Sequence, residues 1–390
     1  MPRRPILRAA AALALVAVAL TGCTSSRAQT QGSNDGAGVI GVSLPTEADA
    51  QWSRGGDALK TELVARGYAV DLQFAAGDAR TQGSQVQNML TKGADAVVVA
   101  PVAAGDLAAP LEVANGDGVP VVEFGRSLAG VDAAAAFAPD PTALGRAQAE
   151  ALLADLPSSG SEQVAPDAAT EPSPSPSGAP SPAASAPATP TVARVALITG
   201  SSADPWDEQR FAAALDALQP AIAAGTVQLV SGASLEAAAV DEDTAAAQAA
   251  AAEKRLRALR ADADAPTAVL ALGDAVTRGV VTALTTDPPA EESPSPSPRS
   301  TASSTPEAPA PLVVGTGADA ATVRALRDDV LDATIFADPR ALVDATADAV
   351  QALLDGETPA AAGEGVAPSV VRPDDVEELI SSGWISTDEL

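Results

Sequence analysis

The one stretch of this chain that spells out a familiar chemistry is "VVGTGADA", residues 313–320. Gly315-x-Gly317-x-x-Ala320 follows an apolar run, and Asp338 comes 18 residues after Ala320. That is the spacing of a dinucleotide fingerprint, in which glycines admit a pyrophosphate and the acid holds a ribose hydroxyl. An NAD-dependent enzyme is therefore a minor alternative. Three features weigh against it. Asp319 lies inside the loop, where its carboxylate would face the phosphates. Only 52 residues follow Asp338, too few to complete a cofactor domain. The start of the chain also directs it outside the membrane, where nicotinamide cofactors are scarce. Hydrolysis fares worse: there is no G-x-S-x-G elbow and no histidine anywhere, which removes the usual base and the commonest metal ligand. The pairs Asp241/Asp243 and Asp262/Asp264 bound a charged, alanine-rich helix and read as solvated caps. No group has metal-ligand spacing. The expectation is a binding protein, not an enzyme, with no cofactor and no metal.

One residue then stands out. "VPVVEFGRS", Val119 to Ser127, reads as a buried strand that runs out into a glycine and an arginine, in a chain with only 23 basic residues against 51 acidic ones. Arg126 is either half of a surface ion pair or a clamp for something polar that binds at the strand's mouth.

The ends and totals narrow the setting. Arg3, Arg4 and Arg8 precede an unbroken apolar run of twelve, Ala9 to Leu20. A membrane-spanning helix needs roughly 20 residues, so the run suits the core of an export signal. It ends in Leu20-Thr21-Gly22-Cys23, which resembles a bacterial lipobox, with Cys23 as the thiol that takes the lipid. Cys23 is the only cysteine, so no internal disulfide is possible. The expectation is an exported protein, anchored by lipid to the outer face of the cytoplasmic membrane, with residues 1–22 as signal and 23–37 as a lipidated flexible tether. The formal net charge of −28 argues against nucleic acid. Aromatic residues make up 2% of the chain, so the core must be built from small aliphatic side chains.

The elements that must position Arg126 and the glycine loop come in a regular beat. Strands are expected at Val39–Ser43, Val70–Phe74, "ADAVVVAP", the Val119 stretch, Ala133–Pro139, Val192–Gly200, Val227–Gly232, Ala268–Asp274, Leu312–Gly317 and Ala333–Pro339. Helices fall between most of them, including Asp49–Arg66, Arg80–Lys92 and Asp106–Asn115, with Gly67 and Gly93 as terminators. Strands that are apolar throughout indicate parallel sheets covered on both faces. Two doubly wound parallel-sheet lobes fit this better than one very wide sheet. Residues 165–190 and 287–311 break the beat. They are rich in proline, serine and alanine and are expected to be disordered loops, each between a helix and the next strand, away from the edge where ligands bind.

Three segments in order, "IGVSLPTEADAQWSRGGDALKTELVARGYAVDLQFAAGD", "TQGSQVQNMLTKGADAVVVAPVAAGDL" and "GVPVVEFGRS", resemble the first lobe of the class I periplasmic sugar-binding proteins of ABC importers, in the ribose, xylose and multiple-sugar branch. "ALDALQPAIAAGTVQLVSG", "TIFADPRALVDATADAVQALLDGETP" and "SSGWISTDEL" are similar to later segments. The resemblance spans about 38–390 and implies two lobes joined by a three-crossing hinge, with 38–128 plus 315–338 in the first and 129–314 plus 339–390 in the second.

Carried over by position, the resemblance places Trp52 as an aromatic that covers a sugar face, Arg126 as the cleft arginine, and Asp274 as an acceptor of sugar hydroxyl protons. Asp319 falls beside a polar residue of the second crossing. Trp206 offers a second stacking face, and Ser43 completes the ligand set. Each has a plain structural alternative: Trp52 and Trp206 as packing at helix starts, Asp274 and Asp319 as helix caps. The chain departs from the family where an acid normally precedes the arginine, here Gly125, and where an asparagine and a glutamine are expected, here Ala212 and Ala318. What the resemblance implies is capture of a small solute, a sugar first among candidates, and its delivery by a monomeric protein to an ABC permease. A sensor or degenerate lipoprotein of the same fold is the alternative.

Overall fold

The computed structural model describes residues 37–102, 104–126, 132–157, 192–242, 244–286, 310–359 and 366–390. The export signal, Cys23 and nearly all of the tether, Asp243, and almost all of the two proline-rich stretches lie outside the described residues.

The expected beat is present. Strands β1 (Val39–Leu44), β2 (Ala69–Phe74), β3 (Ala96–Val99), β4 (Val121–Phe124) and β5 (Ala135–Phe137) form a parallel sheet in the order β2-β1-β3-β4-β5. Helices α1 (Ala50–Ala65), α2 (Ala79–Thr91) and α3 (Ala104–Gly116) connect them. A second sheet repeats the winding with β6 (Ala193–Thr199), β7 (Val227–Ser231), β8 (Ala268–Leu272), β9 (Leu312–Thr316) and β10 (Ala333–Phe336), in the order β7-β6-β8-β9-β10. An edge strand that the sequence pattern did not reveal, β11 (Ser369–Val371), runs antiparallel on β10. The second lobe carries helices α4 (Pro141–Asp155), α5 (Pro205–Ala223), α6 (Leu235–Ala238), α7 (Ala245–Ala261), α8 (Asp274–Thr285) and α9 (Ala320–Arg327).

Local chemistry explains the elements. Every residue of β3 (AVVV) and of β8 (AVLAL) is buried, as strands covered on both faces require. Asp49, Asp78, Asp140, Asp204, Ser234, Thr244 and Asp319 each accept a hydrogen bond from a backbone N–H in the first turn of the helix they precede. Such a cap stabilises a helix by about 1 kcal/mol. A core of alanine and valine closes because the helices approach to backbone contact. A Cβ on Gly145 of α4 would lie 2.0 Å from the Arg210 carbonyl oxygen on α5, and one on Gly279 of α8 would lie 2.1 Å from the Ala249 carbonyl oxygen on α7.

The lobes divide differently from the expectation. Residues 315–338 were expected in the first lobe, but β9 pairs with β8 and β10 pairs with β9, which puts both strands in the second sheet. Val314, Ala333 and Ile335 pack there with Val195 and Leu270. Conversely β5, expected in the second lobe, pairs with β4 in the first sheet. The turn Pro339–Leu342 and helix α10 (Val343–Leu354) also belong to the first lobe, where Leu342, Ala347 and Val350 join the cluster of Ile40, Val42 and Val98. The chain passes between lobes after Phe137, after Phe336, and between Leu354 and Ser369. The pairing of strands sets these boundaries, and an apolar run carries no record of its partner.

The carboxyl end of the chain braces the crossings. After α11 (Val376–Ser381), Trp384 is fully buried. Its Nε1 donates to the Ala318 carbonyl oxygen at 2.7 Å, and its ring meets Phe336 at 4.5 Å between centroids. Arg54 of α1 and Arg340 from the turn after β10 lie over the same indole, 5.5 and 5.1 Å from its centroid.

Candidate functional site

In each sheet the winding reverses beside one strand, β1 in the first and β6 in the second. Crevices at such reversals, outside the carboxyl ends of the strands, are where doubly wound folds hold ligands. Here the two crevices face each other across one cavity of about 670 Å³. Its lining comes from segments after β1 (Asp49, Gln51, Trp52), β4 (Gly125, Arg126), β6 (Gly200 to Arg210) and β8 (Gly273 to Arg278).

Four of the expected residues meet there: Trp52, Arg126, Trp206 and Asp274 all line the cavity. Two do not line it. Ser43 is fully buried beneath it, and its hydroxyl donates to Gln85 Oε1 at 3.2 Å. Asp319 caps α9 through the Thr322 N–H at 2.8 Å and turns its other oxygen to Arg278 at 3.3 Å. It reaches the site only through Arg278. Ala212 is exposed on α5 and Ala318 is core, and neither lines the cavity. The donors expected at those two positions would therefore not have faced a ligand.

Gly125 has a physical reason of its own. Its φ is +72°, and a Cβ built on it would lie 2.8 Å from the edge of the Trp52 ring. Trp52 is 8% exposed and packs between the cavity and the first-lobe core. The indole thus fills the space that an acid at position 125 would need.

Arg126 forms one of the two things its position allowed, an ion pair, and does so at the wall of the cavity. Its guanidinium faces the cavity and pairs with Asp204, the cap of α5, so the ion pair joins one lobe to the other. A second pair crosses nearby, with Arg278 of α8 reaching Asp49, the cap of α1, at 3.4 Å. Arg54 and Glu389 form a third. The lobes are closed on each other.

Within the second lobe, Arg210 donates to Asp207 Oδ1 at 2.6 Å and to the Leu272 carbonyl oxygen at 2.8 Å. Its buried Nε has no acceptor among the described residues. Thr316 Oγ1 takes hydrogen bonds from Gln148 Nε2 (2.8 Å) and the Gly273 N–H (3.3 Å), and Thr277 Oγ1 donates to the Gly273 carbonyl oxygen at 2.9 Å. This network fixes the turn that presents Asp274. No described residue donates a hydrogen bond to the Asp274 carboxylate.

The electrostatics are uneven. Burial, then Asp274, push the Asp49 carboxyl up to about 7 against the pull of Arg278. Burial also raises Asp274, opposed by Arg278 and Arg210. Burial works against the charge of Arg278, but Asp49, Asp274 and Asp319 together hold its pKa above the ordinary value. Asp49, Arg278, Arg210 and Asp207 were not singled out in the sequence. A signal existed for some of them. Asp204, Asp207 and Arg210 recur every three residues along one helical face, and Arg278 follows Asp274 by one turn.

The glycine motif also finds its use. A Cβ on Gly315 would lie 2.5 Å from Thr277 Cγ2, and one on Gly317 would lie 3.1 Å from the Asp274 carboxyl. The glycines make room for side chains of the β8–α8 turn. Asp338 caps the turn that follows β10 and pairs with Arg340.

Comparison with known proteins agrees with this architecture. The model of the family described as "periplasmic binding protein domain" matches residues 40–358. The multiple sugar-binding periplasmic receptor ChvE of Rhizobium radiobacter is 36% identical over 91 residues, 23% of this chain and 26% of that protein. The xylitol-binding protein of Mycolicibacterium smegmatis is 30% identical over 147 residues, 38% of this chain and 41% of that protein. The matched stretches thus span less than half of either relative. Among solved structures, an ABC transporter solute binding protein from Clostridium phytofermentans with bound β-D-glucose superposes with a TM-score of 0.69 at 24% identity, covering 90% of this chain and 99% of that one. That likeness is one of fold, two doubly wound lobes with a cleft between them.

Proposed function

Because the chain belongs to the periplasmic binding protein domain family, we propose that it is an extracytoplasmic solute-binding protein of an ABC transporter, capturing a monosaccharide or related polyol between its lobes and handing it to a permease. The observation that carries this reading is the cavity of about 670 Å³ lined from both lobes, with Trp52 and Trp206, Arg126 and Asp274 on its walls. That volume is in the range of small-molecule sites. Flat indoles suit the C–H faces of a sugar, and a carboxylate with no other donor suits its hydroxyls. The functions for which the matched relatives are named, multiple-sugar and xylitol binding, support the same class.

The mechanism is differential binding. A solute that touches both walls is fully held only when the lobes are shut, so it shifts the open–closed balance toward the shut form, which a permease can read. The cross-lobe pairs Arg126–Asp204 and Arg278–Asp49 exist only in that form. No covalent step is needed. In this reading Cys23 carries a lipid that holds the protein at the outer face of the cytoplasmic membrane, and a monomer suffices.

A thermal-shift screen of the soluble form beginning at Thr24 tests the proposal against neutral hexoses, pentoses and their polyols. A ligand at a hundred times its Kd adds about 2.7 kcal/mol to the folded state. A clear rise in Tm with at least one of them is expected, and no rise with any at millimolar concentration would refute it.

A further inference from the structure

We propose that the cleft selects its solute by charge, accepting neutral and amino-bearing polyols and rejecting sugar acids and sugar phosphates, with Asp274 as the discriminating residue. This rests on the solute-binding reading above and narrows it.

The argument is an accounting of the cavity's ionised groups. Six carboxylates line it, Asp49, Asp78, Asp204, Asp207, Glu242 and Asp274, against four guanidinia, Arg80, Arg126, Arg210 and Arg278. The three inner guanidinia are already committed. Arg126 is held by Asp204, Arg210 by Asp207, and Arg278 by Asp49 and Asp319 together. Arg80 is exposed at the rim. Asp274 alone of the inner carboxylates has neither an ion pair nor a hydrogen bond from a described residue. The interior therefore carries more carboxyl groups than guanidinia, and among the described residues no inner cation is free to neutralise an anionic guest.

Breaking one of these pairs to serve a ligand carboxylate would strand a buried acid, which costs more than the new contact returns. A hydroxyl group meets no such barrier. It can donate to Asp274 and accept from guanidinium N–H groups that remain in place. An ammonium group is better matched still, since it compensates the surplus. The carboxyls of Asp49 and Asp274 are both raised, first by burial, with a neighbouring acid adding to it in each case.

The test uses two matched series, glucose, glucosamine and glucuronate, and galactose, galactosamine and galacturonate, titrated calorimetrically into the form beginning at Thr24 at pH 7.5 and low salt. Within the series that binds, the neutral and amino sugars are expected to bind at least about a hundredfold more tightly than the uronate, as repulsion between unit charges a few ångströms apart implies. Asp274→Asn should narrow that gap by about tenfold. Raising the salt should narrow it in the unaltered protein, so the inference remains testable if the variant does not fold. A uronate that binds as well as its neutral parent overturns the charge selection and leaves the solute-binding reading standing. Binding by none of the six overturns the inference, while the solute-binding reading is decided separately by the wider screen of hexoses, pentoses and polyols.

Discussion

The edge of the Trp52 indole lies 2.8 Å from where a side chain on Gly125 would begin. The two positions are therefore one decision. A large ring on α1 is compatible only with a residue that has no Cβ at the end of β4. Gly125→Asp, which restores the acid expected before Arg126, must displace that ring and hold a positive φ of 72°. The backbone strain alone is about 1–2 kcal/mol, and overpacking adds about as much again. Urea denaturation should show a loss of about 2–4 kcal/mol together with weaker ligand binding. An unchanged midpoint would mean that the ring is free to move.

The Arg126–Asp204 pair joins the lobes, so its effect should appear in ligand binding and not in the stability of either lobe. Asp204→Asn keeps a capping residue on α5 while removing the charge. Arg126→Ala and Asp204→Asn should each weaken binding about fivefold to tenfold, with a coupling near 1 kcal/mol in a double-mutant cycle. Additive effects would show that the pair does not hold the closed form.

Asp49 sets a pH dependence whose sign is unusual for an acid. Its carboxyl is pushed up to about 7 from the ordinary aspartate value of 3.8, so between those values the folded, closed protein binds the extra proton. Stability from this group is full below pH 4 and is lost as pH rises toward 7. By linkage the effect is at most about 4 kcal/mol. Tm should therefore fall from pH 5 to pH 8 more steeply in the unaltered protein than in Asp49→Asn, which keeps a cap on α1. Equal slopes would place the titration elsewhere.

Trp384 joins the tail to both lobes, buried against Phe336 and covered by Arg54 and Arg340. Trp384→Ala should cost about 3–5 kcal/mol in chemical denaturation. A loss below 1 kcal/mol would show that the tail is peripheral.

How far the sequence could be read follows from what each feature depends on. The strand and helix beat was legible because it is local. Val39–Ser43 and Ala268–Asp274 are apolar runs bounded by turn residues, and Asp49 and Gly67 bracket α1. The lobe boundaries were not legible. Whether Gly315 belongs to one sheet or the other depends on Val313 pairing with Val269, a contact between residues far apart in the chain. β11 escaped because its three residues, unlike the equally short β5, are not set in a longer apolar run. At the site, Trp52, Arg126 and Asp274 were indicated by the family resemblance and Trp206 beside them, and all four line the cavity because each stands at the carboxyl end of a strand or near the start of the helix after it. The partners of Arg126 and Arg278 were not found. Asp204 and Asp49 read as ordinary caps, and only the approach of the second lobe turns a cap into half of a latch. The departure from the family at Gly125 had no visible reason in the sequence, because the Trp52 ring that occupies the space comes from a distant part of the chain.

The central claim is that one small neutral solute is held between Trp52, Trp206 and Asp274 by lobes that shut on it. The most direct measurement is a crystal structure of the form beginning at Thr24, grown with the sugar or polyol that most raises its Tm. The account predicts one molecule in the cavity, with a hydroxyl hydrogen-bonded to the Asp274 carboxylate and the Arg126–Asp204 and Arg278–Asp49 pairs formed across it. A ligand bound elsewhere on the surface, or lobes that stay apart with the solute present, would contradict it.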